Sequence, residues 1–229
     1  MKLTVLVASL SLLFAQMVSA ETIVLKSGNA PIGSIDPLVT VRGAPELGDG
    51  KIPNVPLRQA RVITDGGNPW VAPIAGTQWL TASRGVGTWA SPLGGIYRTG
   101  DNDELGGWFV YEIHFSLPDR FVKPFIRVTS TADDWGTIYL NDNWCLGFSH
   151  VFDGFSQNET DDPSLFRIGD NKLSFCVNNY DFGKNITNPT GLDFYAEVTY
   201  EMAPVPEPSS LLALGGGVVG LIGIRRKQK

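Results

Sequence analysis

Residues 107–117 read Gly-Trp-Phe-Val-Tyr-Glu-Ile-His-Phe-Ser-Leu. Phe109, Tyr111, Ile113 and Phe115 take every second position, and Trp108, Val110, Glu112, His114 and Ser116 lie between them. A period of two predicts a strand with one face buried. Pro118 ends it, because proline cannot donate to a ladder. Four further segments follow the same rule. Phe125–Thr131 is entered by Pro124, and Gly136–Leu140 turns at Asn141-Asp142-Asn143. Leu173, Phe175 and Val177 alternate, as do Leu192, Phe194, Ala196, Val198 and Tyr200. No window shows a convincing apolar stripe at the helical period of 3.6. Short strands and Gly/Pro/Asn/Asp turns predict an all-β sandwich. Ser27–Asn54 is rich in Gly and Pro and is expected to be irregular coil over the sandwich, or an adaptor before it.

Both ends of the chain are different in kind. Met1–Ala20 has one basic residue, Lys2, then an apolar stretch from Leu3 to Phe14, then Val18-Ser19-Ala20. This fits a secretory signal cut between Ala20 and Glu21. Residues 205–229 read VPEPSSLLALGGGVVGLIGIRRKQK. Pro206 and Pro208 keep the chain extended. The apolar run Leu211–Ile224 would span roughly 21 Å as a helix, against ~30 Å of hydrocarbon. Local thinning and snorkelling basic ends would let it cross. Arg225, Arg226, Lys227 and Lys229 mark the cytoplasmic side.

Signal peptide, globular body, Pro-Glu-Pro, short Gly/Leu-rich helix and basic tip together resemble the PEP-CTERM family of bacterial surface proteins. The resemblance implies that Pro206, Glu207 and Pro208 are read in the inner membrane by an exosortase-type sorting enzyme. It also implies a Gram-negative-type envelope, a transient inner-membrane anchor through the unprocessed tail, and a final place at the cell surface or in an exopolysaccharide matrix. The expected organisation is 1–20 signal peptide, 21–65 N-terminal extension or first strands, 66–202 sandwich core and 203–229 sorting signal. Within the last, 206–208 is the motif, 209–224 the transmembrane helix and 225–229 the basic tip.

Removing both ends takes away Lys2, four basic tail residues and Glu207, so the formal charge moves from −5 to −9. An acidic body lacks the basic face that nucleic acid or an anionic membrane surface needs. Its 184 residues, Glu21–Pro204, suit one domain.

Within the body, Thr129–Asn143 (TSTADDWGTIYLNDN), Gly169–Asn179 (GDNKLSFCVNN) and Asn188–Tyr200 (NPTGLDFYAEVTY) follow one another. This order resembles the galactose-binding-domain-like jelly roll, found in carbohydrate-binding modules and glycosidase accessory domains. The resemblance implies that the Asp-Asp and Tyr-Leu-Asn pieces build a turn between core strands, and that Gly-x-Asn-x-Leu opens a strand pairing near it. Many such modules hold one structural Ca²⁺, so the resemblance leaves room for one here; no cofactor is required.

Cys145 and Cys176 face an oxidising exterior, so a disulfide is expected, with two buried thiols or a metal pair as alternatives. Catalytic motifs are missing: no G-x-S-x-G, H-E-x-x-H or phosphate-cradling loop is present. His114 reads as a strand residue. Asp133-Asp134 and Asp161-Asp162 could serve glycoside hydrolysis, but adjacent Asp residues more often bind local backbone in turns. Asp101, Asp103, Gly106 and Glu112 match positions of a calcium loop, yet Leu105 cannot ligate and a strand follows. Trp70, Trp89 and Trp135 are the candidate glycan contacts, because aromatic rings stack on sugar faces. The expected function is a non-catalytic β-sandwich that binds or organises exopolysaccharide. A purely structural or adhesive matrix protein is the alternative, and a glycosidase is the remotest.

Overall fold

The computed structural model describes residues 20–44, 58–63, 71–82, 107–151, 153–179 and 190–204. Eleven strands follow in chain order. They are β1 (Ala20–Lys26), β2 (Ile35–Ala44), β3 (Arg58–Val62), β4 (Leu80–Thr81), β5 (Gly107–Leu117), β6 (Phe121–Asp133), β7 (Trp135–Leu140), β8 (Asn143–Val151), β9 (Ser156–Thr160), β10 (Gly169–Asn179) and β11 (Gly191–Met202). A 3-10 turn, Pro163–Leu165, precedes β10. Ala20–Met202 forms one unit.

Two layers face each other. The front sheet runs β2-β5-β10-β7-β8, and the back sheet runs β1-β11-β6-β9. The short β3 and β4 carry pairing from β2 round to β11, and a parallel contact joins β8 to β6. The ladder therefore closes on itself, which removes most free edges. This is the all-β sandwich that the alternating sequence predicts.

Alternation explains the layers. Phe109, Tyr111, Ile113 and Phe115 of β5 and Leu173, Phe175 and Val177 of β10 all turn inward and are buried. They meet Ile126, Val128, Leu192, Phe194, Ala196 and Val198 from the back sheet. Phe175 and Phe194 touch across the layers, with ring centroids 4.6 Å apart. Removal of one such ring typically costs about 3–5 kcal/mol.

Two expectations need correction. Ser27–Asn54 is not all coil: β2 lies within it and pairs with β5 from Val39↔Ile113 to Ala44↔Trp108. Val39 and Val41 supply its inward face, and the Asp36 carboxylate fixes its entry. That carboxylate accepts from Gly28 N, Asn29 N and Leu38 N at 2.9–3.0 Å. Gly28 sits at φ +76°, where a Cβ would lie 2.7 Å from Gln78 N, so the loop needs glycine. Second, Pro124 does not begin a strand but lies inside β6. There the register to β11 shifts between Thr199 and Glu201, giving a bulge that frees the proline from donating.

The Tyr-Leu-Asn and Gly-x-Asn-x-Leu pieces meet as the resemblance implies. Asn141 and Asp142 both have positive φ and make the two-residue turn between β7 and β8. The Asn141 Nδ2 donates to Asn171 Oδ1 at 2.8 Å, and Asn141 Oδ1 accepts from Lys172 N at 2.9 Å. Asn171, at the start of β10, thus ties that strand to the turn of its neighbour.

Candidate functional site

The outward face of the front sheet carries the chemistry. Registered residues on adjacent strands point to the same side, so rungs can be read across it. One rung sets Trp108, Asn178 and Trp135 side by side. The next holds Arg42, Val110, Cys176 and Thr137. A third holds Thr40, Glu112, Ser174 and Tyr139. The period of two that buries Phe109 and Tyr111 is what turns Trp108, Val110 and Glu112 outward.

The two tryptophans lie two strands apart, yet their ring centroids are 5.2 Å apart at 81°, edge to face. They meet across the position of Asn178. Both rings are half-buried. Beyond them stands a charged cluster. Glu112 is only 2% exposed and accepts from Arg42 Nη2 at 2.9 Å and Lys172 Nζ at 3.0 Å. Lys172 also reaches Asp142 Oδ1 at 2.8 Å. Burial alone would pull the Lys172 pKa down, but hydrogen bonds and charge from Asp142 and Glu112 hold it above the ordinary lysine value. Arg42 Nε, Ser174 Oγ and Asn178 Oδ1 are buried on this face with no hydrogen-bond partner among the described residues. Buried polar atoms without partners are rare in native proteins and call for a water, an ion or a ligand.

The residues expected from sequence fall in different places. Trp135 is on this face, while Trp70 and Trp89 lie outside the described residues. Trp108 was not among the expected contacts. Its outward position on β5 is legible, but its proximity to Trp135 depends on β10 lying between their strands. Pro206, Glu207 and Pro208 also lie outside the described residues. Ala20 and Glu21 open β1, paired with Glu201 and Tyr200 of β11, and are exposed.

The expected Cys145–Cys176 disulfide is not formed; Cys176 is a free, buried thiol. Strand β7 explains this. Cys176 pairs with Thr137 of β7, and Cys145 lies on β8, beyond β7's other edge. Two strand spacings are about 9.6 Å, well outside the ~7 Å that a bridge tolerates. Burial pushes the Cys176 thiol up to about 11, against a weaker opposite pull from Arg42, so it stays protonated at neutral pH.

The other candidates have local roles. His114 is exposed and hydrogen-bonds Asp170 at 3.0 Å. Asp133 and Asp134 are buried where β6 passes to β7, and Asp134 N donates to Asn178 O at 2.8 Å. Asp162 caps the 3-10 turn by accepting from Ser164 N at 2.9 Å, and its hydrogen bonds with Ser164 lower its pKa. Glu112, the last residue of the calcium-loop pattern, is committed to Arg42 and Lys172. Among the described residues no group of three or more His, Cys, Asp or Glu side chains is placed to hold a metal ion.

The fold is a β-sandwich; on this face of its front sheet Trp108 and Trp135 are half-buried, while Val110, Glu112, Ser174 and Cys176 are buried. Residues 204–227 match the family model of the PEP-CTERM protein-sorting motif, so the chain is an exported protein with a C-terminal sorting tail. Comparison with curated protein sequences returns no match. Among solved structures, the chain is similar to a beta-glucuronidase from an uncultured Clostridium (12% identity, TM-score 0.39, 77% of this chain and 29% of that one). It is also similar to an FMN-binding beta-glucuronidase from Facaelibacterium prausnitzii (16% identity, TM-score 0.38, 78% and 23%). A carbohydrate-binding module in complex with calcium and xylotriose matches at 12% identity and TM-score 0.23, over 48% of this chain and 84% of that one. The chain thus spans less than a third of either glucuronidase. No helix among the described residues is long and apolar enough to cross a membrane.

Proposed function

We propose that the protein is sorted by an exosortase acting at Pro206-Glu207-Pro208 and then binds exopolysaccharide, without catalysis, through the outward face of the front sheet. The observation that carries the binding reading is the Trp108–Trp135 pair, set in one rung with Asn178 and flanked by Arg42 and Thr137. Indole faces cover the apolar face of a sugar ring, and the polar neighbours meet its hydroxyls. The charged residues of the face are spent on one another, which suits contact rather than chemistry.

Binding is tested with the full chain in detergent, in a pull-down on insoluble polysaccharides and by titration with their oligosaccharides. Trp108→Ala and Trp135→Ala should each weaken binding at least tenfold, as expected for an aromatic anchor. Retention unchanged in both variants, or no retention of the parent chain, defeats the reading. Self-association of the chain in that second case would favour a structural or adhesive matrix role. Sorting has its own readout. Exported Glu207→Ala should keep the mass of the unprocessed tail, and tail loss equal to that of the parent chain defeats the exosortase assignment.

A further inference from the structure

We infer that the free edge of β1 joins a second copy of this chain, as an antiparallel strand pair centred on Val24. The strand order ends at β9 on one side and at β1 on the other. Strand β9 is five residues long and wholly polar, which discourages pairing. Strand β1 lacks most of the usual protections. It has no proline, glycine or bulge, and its register to β11 is unbroken over seven residues, from Ala20↔Glu201 to Lys26↔Tyr195. Its charges, Glu21 and Lys26, stand near its ends, and the β-branched Thr22, Ile23 and Val24 fill its middle. Val24 is 49% exposed, on the outer face of the back sheet.

The ladder shows which groups are open. Ser27 N, continuing that register by one residue, donates to Phe194 O at 3.0 Å. Antiparallel pairs alternate, so Leu25, Ile23 and Glu21 bond to β11, and Thr22, Val24 and Lys26 turn their N–H and C=O toward the edge. Among the described residues no strand pairs with that edge. A twofold axis through Val24 satisfies all of these groups at once. Val24 meets the partner's Val24, and Thr22 meets the partner's Lys26. On the inner face Ile23 lies beside the partner's Leu25. No like charges oppose each other, since the two Lys26 residues stand about 14 Å apart along the strands. The partner's Lys26 arrives on the face where β11 carries Glu197 and Glu201. Its bond within its own chain, to Gly76 O, is exposed and readily exchanged. The occupant is a second copy because the edge complements itself. The axis is perpendicular to the back sheet, so the two front sheets face the same way and whatever that face binds is held by two bodies. A single strand pair buries little area and fits a weak dimer.

Cysteine trapping reads this register directly. In a hydrogen-bonded antiparallel pair the Cα atoms lie about 5.5 Å apart, within disulfide reach. Val24→Cys, in the full chain in detergent under mild oxidation, should give a cross-linked dimer. Thr22→Cys puts its two thiols about 14 Å apart and should cross-link about tenfold less. The parent chain, whose Cys176 is buried, is the blank. Val24→Pro removes an edge N–H and no bond to β11, so its melting temperature should hold while its dimer fraction in sedimentation falls about fivefold. Equal cross-linking of the two cysteine variants, as association through the tail would give, overturns the inference. So does a Val24→Cys chain that stays monomeric, or a Val24→Pro chain that dimerises like its parent. If Val24→Pro melts markedly lower, the two cysteine variants alone decide. Glycan plays no part in any of these readouts, so this inference and the glycan-binding reading fail separately.

Discussion

Asn171→Ala should lower the unfolding free energy of the body by about 3–4 kcal/mol, seen as a lower denaturant midpoint with an unchanged slope. The side chain is fully buried and makes four hydrogen bonds. It accepts from Asn141 Nδ2 and Arg167 N, both at 2.8 Å, and donates to Arg167 O at 2.7 Å and Gly169 O at 2.9 Å. Alanine leaves those groups without their partner in a place water reaches poorly, and each buried unsatisfied group costs about 1–3 kcal/mol. The groups at Arg167 are near the surface and recover part of that with water, which keeps the total below a plain sum. Asn171→Asp keeps both acceptor bonds but turns an oxygen on the carbonyls of Arg167 and Gly169, so it should not rescue stability. Asn141→Gly retains the positive φ that the turn needs and removes only the side chain, so it should cost less than Asn171→Ala. A loss below about 1 kcal/mol in Asn171→Ala would show that this network does not hold β10 to the β7–β8 turn.

Glu112→Ala should be comparably damaging, at about 3–5 kcal/mol, because it strands two cations in a buried setting. Arg42 and Lys172 both point at this carboxylate, and their side chains are only 16% and 19% exposed. Asp142 still holds Lys172, so most of the loss should fall on Arg42. The triple change Glu112→Leu, Arg42→Leu and Lys172→Met should recover most of the stability, since an apolar cluster of similar volume has no desolvation cost to offset. Lys172 also sets a pH limit. Its pKa is raised in the folded state, so the folded chain holds the proton more tightly than the unfolded chain does. That contribution is complete below the ordinary lysine pKa and disappears as pH rises through the higher folded value. An alkaline melt should therefore show an extra loss above about pH 10 that Lys172→Met lacks. A Glu112→Ala variant as stable as the parent would mean that the cluster adds nothing to the fold.

Much of this architecture is legible in the sequence, for physical reasons. Where one face is buried and the other is not, as in β5, β10 and β11, the side chains must alternate, and Phe109 to Phe115 or Leu192 to Tyr200 record it. Asn141-Asp142-Asn143 is legible as a turn from its residue types, whereas the place of Asn171 beside it follows from the resemblance to jelly-roll modules and not from the residue itself. Strand β2 escapes notice because only Val39 and Val41 face the core, and its entry through Asp36-Pro37 looks like loop. Strand β9, Ser-Gln-Asn-Glu-Thr, has no apolar signal because it lies at the rim of the back sheet, paired among the described residues to β6 alone. The cysteines mislead because separation along the chain does not reveal that β7 runs between their strands. For the same reason Trp108 and Trp135 can each be placed on a face, but their meeting over Asn178 is a fact of sheet order.

Strand direction gives the body a mechanical polarity. Ala20 pairs with Glu201 and Met202 with Phe121, so the chain enters and leaves the sandwich at one end. Trp108, Asn178 and Trp135 lie at the opposite end, near the Gly191↔Asp133 rung, a strand length of about 36 Å away. Tension applied at Met202 along β11 acts on a strand that is bonded to β6 from Gly191 to Met202 and to β1 from Tyr195 to Glu201. Ladder hydrogen bonds run across the strands, so such a pull loads them together in shear rather than one after another. A pull applied at Met202 and resisted at the opposite end of the sandwich is therefore carried along the direction in which these ladders yield least.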